Sequence, residues 1–410
     1  MLLSSTCRQW RGRLDVELEA SEHPRPEAWE DTIRSFSTWL GKHADLVRSI
    51  TVNKGTGEDA ETVGRFLPAQ QALAAALLRC QCNSNGSGTA SSSDNNSAAA
   101  SEGLLQLQAY SSDCMGSSSI LQALWSSHIT ALHLSLPQHS RADASLPSSQ
   151  HLMSAFKDLN KLQSLSLSFE LQQALSEACC KAMGGLSCLT KLDLGVGLNA
   201  GTMKVLQLPE VLPSLQLQQL RLHCNYEGTN PVWDLSSFTQ LTELEFTFAS
   251  PSAFVHDPRP TLKLPAQVWV LDISGGGLNA FTKQLGVADN DYYNYVNGQV
   301  KPHSPPILVN HLTALQQLQA FSTTTAFALP DYVLRHLAEL PTLQDISISY
   351  ECADAARLNQ QDWVHLQHLK HLSINLYSKH IMYRPVSRAE LHDLLGAVGS
   401  VTTLTSLQVM

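Results

Sequence analysis

LTKLDL at 189–194, LQQLRL at 217–222 and LTELEF at 241–246 are one phrase written three times. In each, the first, fourth and sixth residues are apolar, and the residues between them are mostly polar or charged. The end of the phrase therefore alternates with a period of two, the pattern of a short half-buried strand. The starts are 28 and 24 residues apart, a step too short for most repeat families. One such unit cannot bury its own apolar face, so Leu192, Leu220, Leu244 and Leu271 are expected to stack into a common core.

The same phrase recurs in both directions from this stretch. Upstream it is read at LLQLQAY (104–110), ITALHL (129–134) and LQSLSL (162–167). Downstream it is read at VWVLDI (268–273), LQQLQA (315–320), LQDISI (343–348), LKHLSI (369–374) and LTSLQV (404–409). Between phrases the periodicity becomes helical, as in His151 to Leu159, Leu171 to Met183, Asp331 to Leu340 and Arg388 to Val398. Near the start, Val47, Ile50 and Val52 supply a first repeat strand, and LDVELEA at 14–20 also alternates like a strand. Glu61 to Cys80 reads as helix interrupted at Pro68, with Leu73, Leu77 and Leu78 available for burial.

Strand followed by helix at each such period resembles the leucine-rich-repeat proteins. LQQLRLHCN is the fullest match, with Asn225 at the family's asparagine position. The resemblance implies an α/β solenoid, curved, with parallel strands on the concave face and helices on the convex face. It also implies that the third, fifth and seventh positions of each phrase project from the concave face, as side-chain alternation requires. Those positions hold Lys191 and Asp193, then Gln219, Arg221 and His223, then Glu243, Glu245 and Thr247, then Asp272. Toward the C-terminus they hold Phe321, Asp345, His371 and Asn375. Arg221 and His223 thus stand among the acids Asp193, Glu243, Glu245 and Asp272, a surface complementary to a partner carrying Lys or Arg.

At the N-terminus, LLSSTCRQWRGRL resembles the last helix of an F-box, with Cys7 and Trp10 separated by two residues in an Arg-rich segment. The stretch that follows, PEAWEDTIRSFSTWLGKHADLVRSITV at 26–52, looks like the first unit of algal and plant F-box proteins with leucine-rich repeats. There Trp29, Ile33, Phe36, Trp39 and Leu40 fall on one helical face. The resemblance places Cys7, Trp10 and Leu14 against a cullin-ligase adaptor. The Leu-Pro-containing leading segment of an F-box is absent. The expected organisation is a partial F-box-like helix at 1–14, N-terminal helices and a first repeat-like unit at 15–80, and the solenoid at 104–410. Between them, 81–103 is almost nothing but Ser, Asn, Gly, Ala and Thr, which reads as a disordered insertion.

The step from 268 to 315 is long enough for a loop at about 275–306, carrying Tyr292, Tyr293 and Tyr295 as aromatic anchors or as its own packing. Gly275 to Gly277 lack the Lys-Ser or Lys-Thr that a phosphate loop needs. The last phrase runs into Met410 without the polar cap that solenoid ends use, the pattern of a gene product that stops short of its cap.

Composition narrows the function. With 43% hydrophobic and 15% charged residues in 410, the chain has the makeup of a soluble globular protein. A net charge of -9 speaks against nucleic acid, which is bound through clustered Lys and Arg. No apolar run nears the roughly 20 residues of a membrane span. The nine cysteines are scattered and odd in number, which fits reduced, cytosolic or nuclear thiols; Cys179 and Cys180 are adjacent in an expected helix. The expected location is the cytoplasm, with nucleus or cilium as alternatives. Arg8, Arg11 and Arg13, which precede the first acid at Asp15, have the basic character of an organelle transit peptide, the minority reading beside the F-box resemblance. His365, His368 and His371 recur every three residues, yet no Cys or carboxylate completes a metal set, and Cys80 and Cys82 have no second pair. No hydrolase elbow, zinc-protease motif or dinucleotide fingerprint is present. The expected function is non-catalytic, cofactor-free recognition of a protein partner. It takes the form of an F-box-type substrate receptor of a cullin ubiquitin ligase or, alternatively, a cytoskeletal or ciliary scaffold.

Overall fold

The structure is a computed structural model. It describes residues 14–19, 26–53, 67–82, 107–113, 118–124, 128–135, 149–168, 177–195, 212, 216–225, 232–249, 261–274, 315–325, 331–350, 363–376 and 388–409. The segments at 1–13, 83–106 and 275–314, which include Cys7, Trp10, most of the low-complexity insertion and the long loop, lie outside the described residues. The chain divides into two compact units. One comprises residues 1–196 and 211–213, the other 197–210 and 214–410.

In the first unit, six strands pair in sequence order, all parallel: β1 (Leu14–Glu19), β2 (Val47–Asn53), β3 (Ala109–Ser112), β4 (Ala131–Ser135), β5 (Ser164–Ser168) and β6 (Lys191–Gly195). The returning segments are helices α1 (Pro26–His43), α2 (Leu67–Cys82), α3 (Ser118–Ala123), α4 (Ser149–Asp158) and α5 (Glu177–Gly184), each packed on the next. In the second unit the parallel order is β7 (Gln219–Asn225), β9 (Glu243–Ala249), β11 (Val270–Ser274), β12 (Ala320–Thr325), β13 (Asp345–Tyr350), β14 (His371–Leu376) and β15 (Ser406–Val409). Here β8 (Val232–Asp234) and β10 (Thr261–Lys263) form a separate parallel pair. Helices α6 (Asp331–Ala338) and α7 (Arg388–Val398) flank a 3₁₀ turn at Trp363–His365, whose Trp363 is buried.

Many of the strands are entered through the same corner, built by the apolar residues of the phrase. The amide of the phrase's first residue closes a tight turn on the carbonyl three residues back: Leu162 on Leu159, Leu189 on Leu186, Leu241 on Phe238 and Leu369 on Leu366, at 3.0 to 3.1 Å. The second position then locks one repeat to its predecessor. The hydroxyls of Thr130, Thr190, Thr242 and Thr405 donate to the second-position carbonyls of the preceding strands, Gln108, Gln163, Gln218 and Lys370, at 3.0 to 3.2 Å. A threonine here supplies one extra cross-repeat bond per corner, worth roughly 1 kcal/mol each.

Alternation then sends the fourth and sixth positions into the core. The fourth-position column of the second unit runs Leu220, Leu244, Leu271, Phe321, Ile346 and Leu372 in register, each at most 2% exposed. Its final member, Leu407 on the last strand β15, is 38% exposed. Among the described sixth-position residues two are polar, one in each unit, and both are satisfied in the same way. Ser112 donates to the Val52 carbonyl at 3.1 Å and Thr323 to the Ile273 carbonyl at 2.9 Å, each reaching the sixth position of the neighbouring strand. That bond is what allows a hydroxyl to sit in the core without an unmade donor.

Several expectations are corrected. The phrase read at 315 begins at Leu318, because Leu318, Phe321 and Thr323 hold the buried first, fourth and sixth places. Phe321 is therefore a core residue, 1% exposed between Leu271 and Ile346, and does not project from the open face. The weak phrase read from 104 is likewise centred on Leu107, Tyr110 and Ser112, all buried. Pro68 is the second residue of α2, where a missing amide hydrogen costs nothing; residues 61–66, also read as helix, lie outside the described residues. Leu73 and Leu77 are buried on α2, whereas Leu78 is 41% exposed. Leu14 starts strand β1 rather than ending a helix.

On α1, Ile33, Phe36 and Leu40 are buried and Trp39 packs between the rings of Phe36 and His43, at centroid distances of 5.9 and 4.9 Å. Among the described residues, Cys80, Cys179 and Cys180 are buried, while Cys188 is exposed. Burial pushes the Cys179 thiol up to about 12, with the neighbouring Cys180 adding to the effect. Burial also raises Cys80, against the opposing charge of Arg79. No helix among the described residues is long and apolar enough to cross a membrane.

Candidate functional site

If the fourth and sixth positions face the core, the third, fifth and seventh face away from it, and this open face is where the chain's variable chemistry lies. The strand ladder sets the spacing: equivalent residues on neighbouring strands stand about 4.8 Å apart, so each position forms a row across the strands.

In the first unit the open face is built from short hydroxyl side chains. Ser164, Ser166 and Ser168 occupy all three outward positions of β5 and are half-buried. Lys191 and Asp193 follow on β6, in register with Ser164 and Ser166, and the Ser166 hydroxyl donates to Asp193 Oδ2 at 3.1 Å. At the other edge, Asp15 and Glu17 of β1 accept hydrogen bonds from Ser49 and Asn53 of β2, at 2.5 and 2.8 Å. These outward carboxylates also put charge on an edge strand.

In the second unit the rows carry more charge. Arg221 and Glu245 lie opposite one another on β7 and β9, with Arg221 Nε 3.0 Å from the Glu245 carboxylate. Glu243 stands beside Gln219, His223 beside Thr247, and Glu245 has Asp272 of β11 on its other side. A glutamate directly opposite an aspartate is unfavourable by itself, and Arg221 offsets it from the flank. Further along, Asp345 of β13 faces His371 of β14, with the imidazole Nε2 3.8 Å from the carboxylate. Asn375 lies further along β14 and is half-buried.

Between these charged groups the side chains shrink. Ala320, Ser322, Ser347 and Ser373 form the floor of an open depression of about 270 Å³, edged by Val270, Asp272, Asp345 and His371. Beside it, Trp269 and Val270 are 42% and 39% exposed, whereas Val268 and Leu271 are buried. Trp269 takes the second position of its phrase, the corner place held by Thr242 on the preceding strand and Gln319 on the next.

Of the residues assigned to recognition from the sequence, Lys191 and Asp193 stand on the open face of the first unit. Arg221, His223, Glu243, Glu245, Asp272, Asp345 and His371 stand on that of the second. Phe321 does not, for the register reason given above. The floor serines and Trp269 were missed: small residues at third and fifth positions carry no chemical signal alone, and Trp269 lies outside the outward positions. His365 ends the 3₁₀ turn, His368 follows in a turn and His371 opens β14. Among the described residues, no group of three or more His, Cys, Asp or Glu side chains comes together in a metal-binding arrangement. No protein-family model matches the chain, and no curated protein matches it.

Proposed function

We propose that the chain is a leucine-rich-repeat solenoid that recognises a protein partner, without catalysis, through the face formed by the outward positions of its strands. The observation that carries this reading is the open face itself. Over successive parallel strands it presents rows of side chains that differ from strand to strand, while the core positions beneath them stay apolar. A scaffold of that kind holds a broad surface rigid at little entropic cost on binding. In the solenoid reading this surface is concave and the helices lie on the convex side. On this face the Arg221–Glu245 pair, 3.0 Å apart with side chains 47% and 28% exposed, is accessible to a partner's charges.

The more specific form of the reading is a substrate receptor of a cullin-type ubiquitin ligase in the cytoplasm. It rests on the resemblance of LLSSTCRQWRGRL to an F-box helix, with Cys7, Trp10 and Leu14 toward the adaptor. Affinity purification of the tagged protein from its own cells, beside an Arg221→Ala, Glu245→Ala variant, tests both parts. Cullin and adaptor recovered with both proteins, together with another protein lost from the variant, is the expected result. Absence of cullin and adaptor removes the ligase role and leaves a scaffold, whose partners the same experiment names. Identical partners in both samples argue against recognition through the open face.

A further inference from the structure

The open face of the second unit is lowest over β12 and β13. Ala320, Ser322 and Ser347 rise no further than a methyl or hydroxyl, so a partner's main chain can approach the sheet closely within the depression of about 270 Å³. Charge selects the occupant. The described open face of this unit carries the carboxylates Glu243, Glu245, Asp272 and Asp345 and the imidazoles of His223 and His371, with the guanidinium of Arg221 engaged with Glu245 and the ammonium of exposed Lys370, at the corner before His371, donating to Gln344.

We propose that this depression holds an extended basic segment of a protein partner, with two cationic side chains four residues apart meeting Asp272 and Asp345. The proposal rests on the recognition role given above. The spacing follows from the ladder. Asp345 is in register with Ala320 and, through it, with Val270, and Asp272 lies two residues further along β11. Two strand spacings and a two-residue offset place the two aspartates roughly 12 Å apart at Cα. In an extended chain, residues i and i+4 share a face and lie roughly 13 Å apart, whereas i and i+2 span only about half of that. Of the three residues between the two cations, the middle one shares their face and passes over Ala320 and Ser322, so it is small. Val270, which lines the depression and is exposed, offers apolar area to a flanking side chain. His371 faces Asp345 at 3.8 Å and sets the edge of the site.

The test is fluorescence anisotropy at low ionic strength, with the full chain and a labelled peptide containing Arg-Ser-Ala-Ser-Arg. Comparators are Arg-Ser-Arg in the same flanks and the first peptide with both arginines replaced by glutamate. The first peptide is expected to bind, the closer-spaced one at least threefold more weakly, and the acidic one not at all. The Asp272→Asn, Asp345→Asn variant, checked for an unchanged circular dichroism spectrum, is expected to lose at least tenfold. No binding, equal binding of the two spacings, or equal binding to the variant overturns the proposal. Partner recovery from cells separates it from the recognition role. If the Asp272→Asn, Asp345→Asn variant keeps every partner that Arg221→Ala, Glu245→Ala loses, this site is wrong and the recognition role stands. If both variants keep every partner, both fail.

Discussion

Phe321 discriminates between two registers of the same strand. Counted from Leu315 it takes the seventh position and points to solvent. Counted from Leu318 it takes the fourth and points to the core, which is where the structure places it, 1% exposed and aligned with Leu271 and Ile346. Phe321→Ala removes a fully buried ring from a column whose neighbours cannot close the gap without moving their strands. The expected cost is about 3 to 5 kcal/mol, transfer and cavity terms together. In a unit of about 200 residues that lowers the melting temperature by on the order of 10 °C. Thermal and urea unfolding followed by circular dichroism measure it, with Ser322→Ala on the opposite face as the control, expected within about 0.5 kcal/mol of the parent. Arrays of repeats can unfold in more than one step, so hydrogen exchange on β12 and β13 locates the loss. If Phe321→Ala matches its control, the register, and with it the assignment of every outward residue on β12, is wrong.

Thr323→Val keeps the shape of the core and removes the hydroxyl bonded to the Ile273 carbonyl; a loss of about 1 kcal/mol in urea unfolding is expected. Of the described cysteines, exposed Cys188 is expected to react with a thiol reagent in the native state, and buried Cys80, Cys179 and Cys180 only on unfolding, as read by mass spectrometry of the labelled peptides. Cys179 also imposes a pH dependence. Its pKa rises from an ordinary 9.0 to about 12 on folding. Below pH 9 the thiol is protonated in both states and costs nothing. From pH 9 toward 12 only the unfolded chain ionises, so stability falls across that window, and Cys179→Ala is expected to flatten the slope. A double-mutant cycle on Arg221 and Glu245, 47% and 28% exposed at their side chains, is expected to give a coupling below about 1 kcal/mol. Partner capture, in contrast, is expected to be lost.

The strand phrases were legible because a period of two with one buried face leaves no freedom. Val47, Ile50 and Val52, spaced like Leu189, Leu192 and Leu194, are all buried. The bounds of α7 at Arg388–Val398 also follow from periodicity. The register at β12 was not legible for a local reason. The corner turn places another buried apolar residue three positions before several phrases, as Leu159, Leu186, Phe238 and Leu366 show, so LTALQQLQAFST offers two equally regular starts, at Leu315 and Leu318. Only the strand pairing, through Leu271 opposite Phe321, decides between them. Thr323 hid the answer, because a sixth-position hydroxyl looks outward until its partner carbonyl on the next strand is known. Most of the open-face charges followed from alternation alone. The depression did not, since it arises from what is small on three neighbouring strands, and no single phrase displays that.

The central claim is that recognition belongs to the open face of the strands and not to the helices. Partner recovery by the parent, by Arg221→Ala, Glu245→Ala, and by Lys157→Glu, Lys181→Glu on the exposed surfaces of α4 and α5 tests it most directly. Loss of the same partner from the first variant alone, with both variants folded, is the predicted result. Loss from the helix variant alone would contradict the account.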